Sequence, residues 1–132
     1  MPTLAYFDCF AGAGGDMIVA ALLDAGADLE ALRVALRALP LSGYDIAAEK
    51  VLRGGLTGLR FAVGLDPAVE QPARGLGEIL ALIEQAHLPA RAAERARMVF
   101  TRLADAEAKV HGIAPDEVHF HEVGAVDAIV DV

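Results

Sequence analysis

Thr3-Leu4-Ala5-Tyr6-Phe7-Asp8-Cys9-Phe10-Ala11-Gly12-Ala13-Gly14-Gly15-Asp16-Met17 changes character twice. Its first part is rich in β-formers and apolar on both faces, which predicts a central buried strand over residues 3–9. The glycines then predict a tight loop, and the apolar run that follows, residues 18–25, predicts a buried helix. Strand, glycine loop and helix in that order point to the α/β class. Glycines let backbone amides approach a ligand closely, and a helix N-terminus offers an anion unpaired N–H groups and a partial positive charge. Gly12, Gly14, Gly15 and Asp16 are therefore candidates for holding a phosphate or carboxylate, and Asp8 and Asp16 flank the loop as metal or substrate ligands. A tight turn with no ligand is the alternative. Asp16, at or near the N-cap, can satisfy the same amides itself, and the loop matches neither the P-loop nor the dinucleotide fingerprint. Cys9 reads as a buried packing residue before a nucleophile.

Moving outward, Gly26 is placed to end the first helix and Asp28 to cap a second, whose Leu29, Leu32, Leu36 and Leu39 make one apolar stripe stopped by Pro40. Tyr44, Ile46 and Ala48 alternate with polar residues, and after Gly54-Gly55 a second alternation carries Leu59, Phe61, Val63 and Leu65. That is a β-hairpin with one face on the core. Lys50, Arg53 and Arg60 near its turn read as solvated charge, with anion contact the alternative. Residues 66–75, with Pro67 and Pro72 and no hydrophobic period, read as a surface linker. Leu76, Ile79, Leu80 and Ile83 mark a short helix ending near His87. Pro89 opens a longer one, with Val99, Leu103, Ala106 and Val110 as its expected buried stripe and His111-Gly112 as its end.

The densest chemistry lies in Val118-His119-Phe120-His121-Glu122-Val123-Gly124-Ala125-Val126-Asp127. In an extended segment Val118 and Phe120 share one face and His119 and His121 the other, about 6 to 7 Å apart. Two such imidazoles with nearby carboxylates suit Zn, Ni, Fe or Mn. His119, His121, Glu122, Asp8 and His111 are the candidate metal ligands; Glu122 and Asp127 are the candidate proton acceptors. Gly124 permits a turn into a last helix over residues 125–132, with Asp127 in its first turn and Asp131 one turn later on the same side. The plainer alternative is a strand with two surface histidines beside an ordinary acidic helix start.

The 132 residues, 55% of them apolar, suffice for one domain with a real core. A net charge of −8, with basic residues dispersed, argues against nucleic acid. The single Cys9 forms no internal disulfide, no leader is apparent, and no apolar run is long enough for a bilayer, so a cytoplasmic protein without a membrane partner is expected. The chain stops within an apolar helical pattern, as if cut from something longer. The expected architecture is α/β: a small mixed sheet of about four strands, made from the first strand, the hairpin and the His119 strand, packed with about five helices.

Two stretches together resemble one family. Asp8-Cys9-Phe10-Ala11-Gly12-Ala13-Gly14-Gly15-Asp16-Met17 is similar to its opening D-C-F-S-G-x-S-G-D-M motif. Ala106-Glu107-Ala108-Lys109-Val110-His111-Gly112 and the segment 118–132 are similar to its A-E-A-x-V-H-G and V-H-F-H-E-V-G-A-V-D-x-I-V-D sequences. The family is LarC, the nickel insertase of nickel-pincer cofactor biosynthesis. The resemblance covers essentially the whole chain and implies a single N-terminal domain, residues 1–132, of a longer insertase whose C-terminal CTP-binding part is absent here. It further implies a lyase-type nickel chelatase that, with CTP and Mg or Mn, puts Ni(II) into pyridinium-3,5-bisthiocarboxylic acid mononucleotide, this fragment being inactive by itself. The implied partners are that mononucleotide, the C-terminal domain and, on another reading, a second copy. His119, His121, Glu122 and Asp127 match the family's histidine and acidic motif, and Gly12, Gly14, Gly15 and Asp16 its opening loop. Ala11 and Gly14 stand where the family's motif has serines, and residues 66–74 lack the histidine-rich tract common in the family's linker. A phosphate- or nucleotide-binding module, or a structural docking module, without its own metal chemistry is the alternative.

Overall fold

The alternation over residues 44–65 folds into a hairpin. Strand β1 (Tyr44–Arg53) pairs antiparallel with β2 (Leu56–Leu65), with Ile46 opposite Val63 and Ala48 opposite Phe61. Gly54 and Gly55 connect them at φ 57° and 80°, the left-handed pair that a two-residue turn between twisted strands demands. The computed structural model describes residues 4–10, 12–120 and 126–132.

Helix α1 (Gly15–Asp24) lies on β2, and its Ala20 joins Ile46 and Phe61 in one core cluster. Gly26, at φ 105°, closes the helix, and its N–H donates to Leu23 O at 3.0 Å. Asp28 then caps α2 (Leu29–Leu36): its Oδ1 accepts from the N–H groups of Glu30 and Ala31 at 2.8 and 3.3 Å. Arg33 latches α2 onto the hairpin by pairing with Asp45 and donating from Nη2 to Ile46 O at 2.7 Å. The helix ends well before Pro40, yet Leu39 beyond it is buried.

A second cluster forms between α3 (Leu76–Gln85) and α4 (Ala90–His111). Helix α4 starts at Pro89 and ends on Gly112 at φ 67°, as its sequence signals demand. Its buried stripe differs from the expected one. Ala96, Phe100, Ala104 and Ala108 face the core, whereas Val99 and Val110 are exposed and Leu103 is partly buried. Small alanines let α3 approach closely enough for Ile79 and Ile83 to pack beside Phe100. Fit to the neighbouring helix, not the apolarity of each residue, selects the face.

Two other expectations fail. Residues 4–9 form no strand: Leu4 and Tyr6 are 92% and 87% exposed, and neither two-stranded sheet takes the segment up at an open edge. The linker is also not wholly irregular. Arg74–Gly75 is strand β3, paired antiparallel with β4 (His119–Phe120), with Arg74 opposite Phe120. The class α/β therefore holds, with five helices and four strands among the described residues, the strands lying in two antiparallel pairs. Helix α5 (Val126–Asp131) lies at the seam: Val126 and Val130 belong to the hairpin cluster and Ile129 to the α3/α4 cluster.

The two readings of α4 separate by mutation. Phe100→Ala should cost about 3 to 5 kcal/mol, and Val99→Ala about 0.5 kcal/mol or less, both measured by urea unfolding.

Candidate metal and glycine-loop site

Strand β4 carries the first half of the histidine motif. Val118 and Phe120 are buried and His119 is exposed, the alternation that an extended segment imposes. The Phe120 ring meets Phe100 edge-on, with centroids 6.3 Å apart, so the core of α4 fixes the strand that presents His119. Opposite it stands Gly75, where a Cβ would come 3.7 Å from His119 Nδ1 and 3.8 Å from Glu78 Oε2. The imidazole and the Glu78 carboxylate thus flank the same backbone, and Glu78 Oε2 accepts from the Gly75 N–H at 2.8 Å. Sequence reasoning missed Glu78, since only the β3–β4 pairing brings the start of α3 to this corner. It also missed Arg74, a buried charged residue that donates to Gln71 Oε1 at 3.3 Å from the strand beside the histidine segment.

His121 and Glu122 lie outside the described residues. Of the other expected metal ligands, His111 is exposed in the last turn of α4 with Nε2 3.2 Å from Glu107 Oε2, and Asp8 is exposed in the N-terminal segment. Among the described residues, no three His, Cys, Asp or Glu side chains converge to hold a metal ion. Cys9, expected to be buried, is exposed.

The glycine loop does meet the last helix. Gly12, at φ 93°, forms a turn in which its N–H donates to Cys9 O at 3.0 Å, and Gly14 caps α1 in an extended conformation. Asp16 does not cap the helix; it is the second residue of α1, and no side chain caps the Gly14 end. A Cβ on Gly15 would come 2.6 Å from Asp131 Cβ and 2.9 Å from its Oδ2, so the absent side chain is what lets α5 dock here. Burial, then the charges of Asp16 and Asp127, push the Asp131 carboxyl up to about 6, against the pull of the Asp16 N–H that donates to it. Its Oδ1 is buried without a hydrogen-bond partner among the described residues, which disfavours the charged form further. Asp16 and Asp127, expected to serve the loop and the proton transfer, each act on Asp131 through their charge. Beyond them, Arg53 and Arg60 of the hairpin line a groove together with Asp16 and Met17. Arg60 also pairs with Glu49 at 3.1 Å.

A profile of the family described as "Nickel insertion protein" matches residues 5–132. The chain belongs to this family. It is 52% identical over 129 residues to a protein of Geobacter sp. (strain M21), 53% identical over 129 residues to one of Citrifermentans bemidjiense, and 51% identical over 132 residues to one of Roseiflexus castenholzii. Each of the three bears the name "Putative nickel insertion protein", and the match covers 98 to 100% of this chain and 33% of each relative. The chain thus spans about a third of the length of the curated relatives it matches. This is the family that the two motifs resemble. No solved structure matches the chain. Among the described residues no helix is long and apolar enough to cross a membrane.

The raised Asp131 acid gives a pH signature. The folded chain holds this proton more tightly than the unfolded chain, so the stability linked to it is complete below about pH 4 and is lost as pH rises through about 6. Unfolding measured from pH 4 to 7 should show that decline, and Asp131→Asn should flatten it. Gly15→Ala should cost about 1 to 3 kcal/mol by overpacking against Asp131, measured by urea unfolding at pH 5.

Proposed function

We propose that this chain is the nickel-handling N-terminal part of a CTP-dependent cyclometallase, a lyase-type chelatase. The enzyme inserts Ni(II), as a substrate, into pyridinium-3,5-bisthiocarboxylic acid mononucleotide to make the nickel-pincer cofactor. The observation that carries the reading is the alternation at β4, which buries Val118 and Phe120 and turns His119 outward at the head of the His-x-His-Glu motif. Membership of the nickel insertion family supports it.

In this reading His119 and His121, with Glu122, Asp8 and His111, supply the nickel donors. Imidazole is a borderline ligand: it holds Ni(II) well yet surrenders it to softer sulfur, as an insertase requires. Insertion makes two nickel–sulfur bonds and one nickel–carbon bond, and the ring carbon gives up its proton as nickel takes its place. Glu122 or Asp127 accepts that proton, and Asp127 stands exposed at the start of α5 for the task. Gly12, Gly14, Gly15 and Asp16 hold the mononucleotide's phosphate in the same scheme. The Asp16 N–H already serves Asp131, and Asp16 and Asp127 add negative charge nearby. An anion at the loop therefore needs offsetting positive charge, which Arg53 and Arg60 across the groove can lend. This crowding of carboxylates weighs against a metal-free phosphate-binding module. CTP with Mg or Mn belongs to the part of the family beyond this chain, which leaves the chain inactive by itself. A lone, exposed Cys9 suits a reducing, cytoplasmic setting.

His119→Ala combined with His121→Ala should weaken Ni(II) binding at least tenfold, about 1.4 kcal/mol, in calorimetry at pH 7.5. Unchanged affinity rejects the reading, and tight CTP or pyridine mononucleotide binding in excess chelator favours the phosphate module instead.

A further inference from the structure

A folded monomer of 13.8 kDa is expected to expose about 6,600 Å². This chain exposes 9214 Å², roughly 2,600 Å² more. A standard interface takes about 800 Å² from each partner, so the excess is ample for a large one. Much of the apolar exposure gathers in one region. Leu4, Tyr6 and Phe10 are 92%, 87% and 92% exposed in the N-terminal segment, and Met17, Ile18 and Leu22 are exposed on α1. The two are continuous: Phe7 and Cys9 line one shallow groove with Met17 and Ile18.

The segment's composition says what covers it. Residues 4–7 are apolar on successive positions, hence on both faces of an extended chain, a pattern found where a strand has neighbours in a sheet and further layers above and below. Two copies meeting through this one segment make a two-stranded ribbon whose faces stay wet. A larger folded unit that already holds a sheet satisfies both edges and faces. The curated relatives carry such a length of chain, since the match covers only 33% of each. We propose that residues 4–10 and the exposed side of α1 are the docking surface for the part of the family's chain beyond the matched third, residues 4–9 entering that part's sheet as a strand. The proposal rests on family membership and the exposed surface, not on the nickel chemistry. It also links function to assembly, because the strand runs directly into Gly12, Gly14 and Gly15, so docking fixes one side of the glycine loop.

Hydrogen exchange tests this on the full-length Roseiflexus castenholzii relative, which this chain matches over all 132 residues, beside the chain itself. The peptide matching residues 4–10 should exchange on the order of 100-fold more slowly in the full-length relative, and at the unprotected rate in this chain. Fast exchange in both overturns the proposal. So does slow exchange in this chain with a dimer mass by light scattering, since a second copy then covers the segment. As a second measurement, Leu4→Asp with Tyr6→Asp should leave the melting temperature of this chain unchanged, while acidic residues at the matching positions should lower that of the relative by several degrees. An equal effect in both proteins, or none in either, counts against docking. Nickel affinity, read separately, should not change in this chain.

Discussion

Helix α5 is six residues long, too short to exist without tertiary support, because forming the first helical turn costs more than its few hydrogen bonds return. Its existence depends on burying two sides at once. Val126 and Val130 enter the cluster of α1 and the hairpin, and Ile129 enters the cluster of α3 and α4. Each such burial contributes about 1.5 to 3 kcal/mol. Leu36 and Leu41 also pack against both clusters. The two halves of the core are therefore tied by a helix that neither half alone would hold, and α5 follows directly on the segment that carries the histidine motif.

The same helix sets the electrostatics of the glycine loop. Docking at Gly15 places the Asp131 carboxyl against the start of α1, where the Asp16 N–H meets it but the charges of Asp16 and Asp127 oppose its ionisation. In sequence the loop reads as a place for a ligand's anion. In the fold, part of that role is already taken by a carboxyl group from the far end of the chain, and the local field favours protons and cations.

The N-terminal segment shows the opposite relation. It has the composition of a buried strand and none of its environment, since neither two-stranded pair takes it up at an open edge. A sheet edge binds only what presents a complementary row of backbone groups. Pattern predicts what a segment needs; topology decides whether it is met.

Much of the architecture was legible because it is local. Asp28 as a cap, Gly54-Gly55 as the turn, Pro89 and Gly112 as the bounds of α4, and the inward Val118 and Phe120 all follow from interactions within a few residues. Of the candidate site, residue types alone named the loop and the His-x-His-Glu segment, and only the outward face of His119 follows from local alternation. What tertiary structure alone decided is where long-range pairing or packing chooses among locally equal options. That covers the alanine face of α4, the strand at Arg74, the placing of Glu78 beside His119, and the meeting of Gly15 with Asp131. Sequence determined which elements form, because capping and turn energies act over a few bonds. The fold determined which of them touch, because burial and desolvation depend on neighbours far apart along the chain.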